Sequence, residues 1–147
     1  MSPTTPQLPA TVRTFTQLLS STRRGEAPRL ARLLTTGELS AWNVPEDVAE
    51  RAEKIVAELA ANAVFQGRVH GRDFRLGLTL DASASTLRIE VTDARGDRFP
   101  GARPDAVPDA ETWRGLVLLA ALADRWGSKP YPPSGKTVWS EVDTCPR

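Results

Sequence analysis

Along the chain the apolar positions switch between a period of two and a period near 3.6, and each switch marks an element. "VRTFTQLL" (12–19) sets Val12, Thr14 and Thr16 against Arg13, Phe15 and Gln17, an alternation of β-branched and aromatic residues that predicts a strand until Leu18 and Leu19 break it. "RLARLLTTGELSAW" (29–42) carries Leu30, Leu33, Leu34 and Leu39 near helical spacing, with Pro28 tolerated in a first turn, and predicts a helix. The strongest helical signal is "NVPEDVAERAEKIVAELAANAVF" (43–65), with Asn43 as its cap, Pro45 in its first turn, Glu46 and Asp47 at the positive end, and Gly67 as its stop. Its apolar stripe is Val48, Ala52, Ile55, Val56, Leu59 and Ala63.

Two alternating runs follow. "DFRLGLTL" (73–80) puts Phe74, Leu76, Leu78 and Leu80 on one face, and "TLRIEVTD" (86–93) does the same with Leu87, Ile89 and Val91. The turn "DASAS" between them predicts a hairpin. From Ala94 to Arg114 there are three prolines, two glycines and few large apolar groups, a connection long enough to suggest a lid. "WRGLVLLAALADRWG" (113–127) predicts a helix apolar on most sides and therefore buried, and "SKPYPPSGK" a turn. "TVWSEV" is a last strand with Val138 alternating against Thr137 and Trp139. The proline-rich opening reads as a disordered arm over 1–11, leaving one domain over 12–143 and a tail over 144–147. Strand, two helices, hairpin, loop, helix, strand is an α+β order. It predicts a two-layer sandwich with helices on one face of a mostly antiparallel, mixed sheet.

Charge narrows the partners. Nineteen Lys+Arg against 18 Asp+Glu leave a net +1, so no global field favours nucleic acid or an anionic membrane. The single cysteine, Cys145, excludes an internal disulfide and suits a reducing compartment. No apolar run approaches a membrane span, and the start lacks a signal-peptide pattern, which reads as a cytoplasmic protein.

Candidate chemistry begins with Glu58 and Asn62, an i, i+4 carboxylate and amide inside "AELAANAVFQG". At about 100° per residue both border the apolar stripe, so their oxygens could converge on a hydrated cation, or simply form the helix's wet edge. Asp93 ends a strand just before the long loop, as a ligand-facing acceptor or a turn-forming Asp. "RGL" (114–116) places a glycine where a helix opens, with free backbone amides and Arg114 suited to phosphate. Thr137 could offer a hydroxyl to the same pocket, though Thr is at home in any strand. His70 lacks a second metal ligand beside it, and Trp42, Trp126 and Trp139 read as packing residues. Arg23, Arg24, Arg29 and Arg32 form either a partner-facing patch or a solvated face.

In order, "ELAAN", "VTDARG", "WRGL" and "GKTVW" resemble the N box, the two glycine boxes and the final strand of the GHKL (Bergerat) ATP-binding fold. Within it the chain looks most like the small anti-sigma-factor serine/threonine kinases, from about Val12 to Val142. The resemblance implies ATP and Mg²⁺ as ligands. It implies that Asn62 supplies an oxygen to the metal, that Asp93 accepts from the adenine amine, and that Thr137 supports Asp93. It implies Glu58 as the catalytic carboxylate acting on a serine hydroxyl of an antagonist protein. Gly96, Arg114, Gly115 and Leu116 would border the phosphates beneath a lid over 94–114. A sigma factor is a second implied partner and a homodimer a candidate assembly. Departures are specific: Ala94 and Arg95 precede Gly96 where a first glycine is usual, Trp113 precedes Arg114 in the second box, and Phe65 and Gln66 follow the N box. They keep open an alternative, a non-catalytic interaction module on a degenerate GHKL fold with little or no nucleotide binding.

Overall fold

The computed structural model describes residues 12–19, 26–65, 73–93, 110–132 and 135–145, with 64, 65 and 110–114 as backbone only. The elements are β1 (Val12–Leu19), α1 (Ala27–Ala41), α2 (Glu46–Phe65), β2 (Phe74–Asp81), β3 (Thr86–Asp93), α3 (Ala110–Leu122), β4 (Arg125–Tyr131) and β5 (Gly135–Asp143). They form one five-stranded sheet in the order β1-β2-β3-β5-β4, every neighbouring pair antiparallel. The helices cover one face: α2 lies over β3 and β5, α1 packs on α2 beside β1, and α3 packs on the other flank beside β4. This is the α+β two-layer sandwich that the periodicity predicts, with one difference: the expected mixed sheet is antiparallel throughout its described strands.

Period-two alternation explains the core. Phe74, Leu76 and Leu78 of β2 and Leu87, Ile89 and Val91 of β3 all face the helices and are buried. Against them α2 buries its whole predicted stripe, Val48, Ala52, Ile55, Val56, Leu59 and Ala63. Each large side chain removed from water contributes about 1.5–3 kcal/mol, so this one interface carries most of the fold's apolar stabilisation. The other face of the sheet is polar. There Arg88 reaches Glu90 at 3.1 Å and Glu141 at 3.2 Å, and lies 4.4 Å from the ring centroid of Trp139.

The β2–β3 hairpin forms as its turn composition predicts, with Asp81 Oδ1 accepting from Ser83 N (3.0 Å), Ser83 Oγ (2.6 Å) and Ala84 N (3.2 Å). These bonds favour the charged form and hold the Asp81 carboxyl below its ordinary range. Beyond the last strand, Thr144 N donates to Ser85 O at 2.8 Å and Cys145 Sγ to Ser85 Oγ at 3.1 Å, which ties the start of the expected tail to this turn.

Three expectations change. Asn43 does not cap α2; it sits at φ 57° and ends α1, its N–H donating to Ser40 O and that of Val44 to Leu39 O, a Schellman closure. Residues 125–131, read from sequence as helix end and turn, form β4 instead. As an edge strand it tolerates Gly127 and Pro130, which hide a strand pattern. Finally, α3 is not buried all round: Leu119 is 1% exposed, but Val117 and Leu118 are 53% and 38% exposed. The expected arm 1–11, the Gly67 stop, His70, Arg23, Arg24 and most of the lid lie outside the described residues.

Candidate functional site

Helices α2 and α3 run antiparallel, and their contacts fix which end of the sheet each residue serves. Arg51, near the start of α2, donates from Nε and Nη2 to Leu122 O at 3.0 and 2.6 Å, at the end of α3. Asp124 N then donates to Glu141 O at 2.9 Å, at the far end of β5. From Arg51 to Asn62 the helix advances about 16 Å. From Glu141 back to Lys136 the strand covers about the same distance. Glu58 and Asn62 therefore stand over the end of the sheet where β3 stops at Asp93 and β5 begins.

At that end Glu58 and Asn62, both half-buried, meet Gly115 of α3. A methyl group at 115 would lie 3.2 Å from Asn62 Nδ2, 3.4 Å from its Oδ1 and 3.6 Å from Glu58 Oε2. A Cβ there would press on the Asn62 amide, and glycine leaves that space to the two polar side chains. The glycine's expected role changes here. Gly115 is the sixth residue of α3, beyond the four N-terminal amides that lack an intrahelical acceptor, because the helix begins at Ala110 rather than Trp113. It provides room, not a donor at a helix mouth.

Asp93 lies on the helix-facing side of the sheet, 7% exposed. Its cross-strand partner is Lys136, itself 3% exposed, with Nζ 3.6 Å from Asp93 Oδ2. A buried charge needs an opposite charge beside it, and here each supplies the other's. Gly135 lets β5 approach this closely, since a Cβ there would collide with the backbone oxygen of Asp93.

Thr137 does not join them. It pairs with Thr92, and the two hydroxyls lie 2.8 Å apart on the polar face, beside Arg75 and Thr79. One residue along a strand turns a side chain to the other face, so Thr137 cannot stand next to the Asp93 carboxylate while Lys136 does. Leu116 follows Gly115 on α3 and is half-buried, whereas Gly96 and the side chains of Trp113 and Arg114 lie outside the described residues.

A family model for the histidine kinase-like ATPase domain matches residues 7–140. The chain belongs to the histidine kinase-like ATPase family. Among solved structures it is similar to the RsbU and RsbW domains of Rv1364c from Mycobacterium tuberculosis, with a TM-score of 0.67 at 16% identity. That match covers 89% of this chain and 32% of the other, so the chain spans about a third of that protein's length. No curated protein matches the sequence.

Membership in the ATPase family implies ATP as the ligand, and the side chains at this end suit its metal as well. Magnesium takes oxygen donors and is commonly held by one or two protein side chains, with phosphates and waters completing its octahedron. Glu58 and Asn62 supply such donors, and no group of three His, Cys, Asp or Glu that could hold a metal exists among the described residues. Phosphate oxygens would therefore have to complete the set. The buried polar residue at this end that sequence reasoning missed is Lys136. The signal was present in the alternation of "GKTVWSEV", which puts Lys136 on the face of Val138 and Thr137 on the face of Trp139.

Proposed function

We propose that this domain binds Mg·ATP between α2, α3 and the ends of β3 and β5, and transfers the γ-phosphoryl group to a serine or threonine of an antagonist protein. The observation that carries the reading is the convergence of Glu58 and Asn62 on Gly115, above the sheet end that holds Asp93. Asn62 Oδ1 would hold the metal, which supplies charge compensation at the phosphates when bound. The Asp93 carboxylate accepts from the adenine amine. Glu58 lies on the same helix face as Asn62, one turn nearer the helix start, and accepts the proton of the attacking hydroxyl. Gly115 keeps both side chains in place by leaving them space, and Leu116 borders the phosphates beside it. Gly96 and Arg114 are assigned to the phosphates from the motif alone.

The anti-sigma-factor resemblance supports a regulatory role in the cytoplasm, with the antagonist and a sigma factor as protein partners and a homodimer as the assembly. Among the described residues no helix is long and apolar enough to cross a membrane.

Calorimetry with Mg·ATP tests the site. Wild type is expected to bind, and Asn62→Ala to bind about 10- to 100-fold more weakly, the scale of a lost contact to a charged group. Heat absent from both proteins removes the proposal. Glu58→Gln should keep nucleotide affinity while phosphoryl transfer to the antagonist falls at least about 100-fold. The rival reading, a non-catalytic interaction module, rests on Arg95 standing at a glycine position of the first box and on Trp113 and Arg114 leaving only Gly115 in the second. It predicts partner binding that ignores both ATP and Glu58→Ala.

A further inference from the structure

The buried charge pair at the ends of β3 and β5 has a chemical form that a lone carboxylate lacks. Asp93 is an acceptor, Lys136 is a donor with three N–H groups, and both belong to adjacent strands on the helix-facing side of the sheet. Lys136 Nζ lies 3.6 Å from Asp93 Oδ2, an ion pair that sets an ammonium and a carboxylate side by side. Adenine presents the complementary pair on its Watson–Crick edge, an exocyclic amine that donates next to a ring nitrogen, N1, that accepts.

From this juxtaposition we infer that Lys136 is a specificity-determining residue of the nucleotide site, donating to N1 of the base while Asp93 accepts from the amine. The inference rests on the nucleotide reading above and adds a contact to it. Two features of the chain favour it. Register fixes Lys136 opposite Asp93, and Gly135 draws the two strands together at that point, so the ammonium is delivered to the carboxylate by backbone geometry. Burial then matters: at 3% exposure the ammonium is shielded from water, where a hydrogen bond to a ring nitrogen discriminates strongly. Thr137, the hydroxyl that the family motif suggests for this duty, is on the opposite face of the sheet, 2.8 Å from the Thr92 hydroxyl.

A thermodynamic cycle between protein and ligand tests the contact. ADP and 1-deaza-ADP, which differ only in whether position 1 carries a nitrogen, are titrated with Mg²⁺ into wild type and Lys136→Met. Wild type should prefer ADP by about 10- to 100-fold, the scale of a hydrogen bond to a charged donor, and the variant should bind the two nearly equally. Removing the lysine leaves Asp93 buried without it and can unfold the domain, so Lys136→Thr, which keeps a hydroxyl donor on that face of the strand, serves as a second variant with the same expected loss of preference. A third readout needs no variant: in ¹⁵N-lysine-labelled wild type, the Lys136 ammonium resonance should shift with ADP and much less with 1-deaza-ADP. If both nucleotides bind with a ratio that the variants leave unchanged, or shift that resonance equally, the inference fails alone. If neither nucleotide binds, the nucleotide reading fails and takes the inference with it.

Discussion

At one end of the sandwich, arginines are matched with several acceptors each. Arg51 reaches Leu122 O and Asp124, while Arg125 reaches Glu141 at 2.9 Å and Asp143 at 2.5 Å, and these carboxylates hold its guanidinium even more firmly charged than usual. At the other end the polar groups face different neighbours: Glu58 and Asn62 look onto the backbone of a glycine, and Asp93 and Lys136 are buried 3.6 Å apart. The first arrangement joins α2, α3, β4 and β5 through groups that water also reaches, so single pairs there contribute little while the guanidinium-to-carbonyl bonds contribute more. The second concentrates charge where water is scarce, a costly placement that a ligand can use. The same two helices thus fasten the domain at one end and border the candidate site at the other.

The contrast can be broken most forcefully at Gly115. Gly115→Val sets a branched side chain where a bare methyl would already crowd Asn62 and Glu58, and Mg·ATP affinity measured by calorimetry should fall about 100-fold. Affinity kept within a factor of about three would mean that this end is not where nucleotide binds. At the opposite end, Arg51→Ala leaves the Leu122 carbonyl without its guanidinium, and urea titration should register a loss of about 1–3 kcal/mol with nucleotide affinity intact. A variant that lost affinity but not stability would reverse the roles of the two ends. The mildest change is Thr137→Val on the polar face. It should cost at most about 1 kcal/mol through the lost hydroxyl contact with Thr92 and leave affinity within about twofold. A tenfold drop would return that hydroxyl to the site.

Periodicity carried the sequence a long way because most of the chain obeys it on one face only. The α2 stripe and the β2–β3 hairpin could be read residue by residue, since helix and strand each bury a single, regularly spaced set of side chains. What periodicity could not show was β4, where Gly127 and Pro130 interrupt the pattern and pairing with β5 alone decides the strand. Asn43 misled for a related reason: the same residue type suits a helix start and a left-handed helix end, and only the backbone distinguishes them. At the site, Glu58 and Asn62 were legible from i, i+4 spacing, and Gly115 from its motif but with a different physical role. The Thr137 reading followed the motif against the strand's own alternation. Counting faces from Val138 leads to Lys136 instead.

Lys136 is one of three lysines in the chain, and the others, Lys54 and Lys129, are exposed. An acylating reagent should therefore modify those two promptly and reach the third only when local opening uncovers it. Mass spectrometry of the slow adduct would then time how often the end that holds Asp93 comes apart, with the domain's own chemistry as the clock.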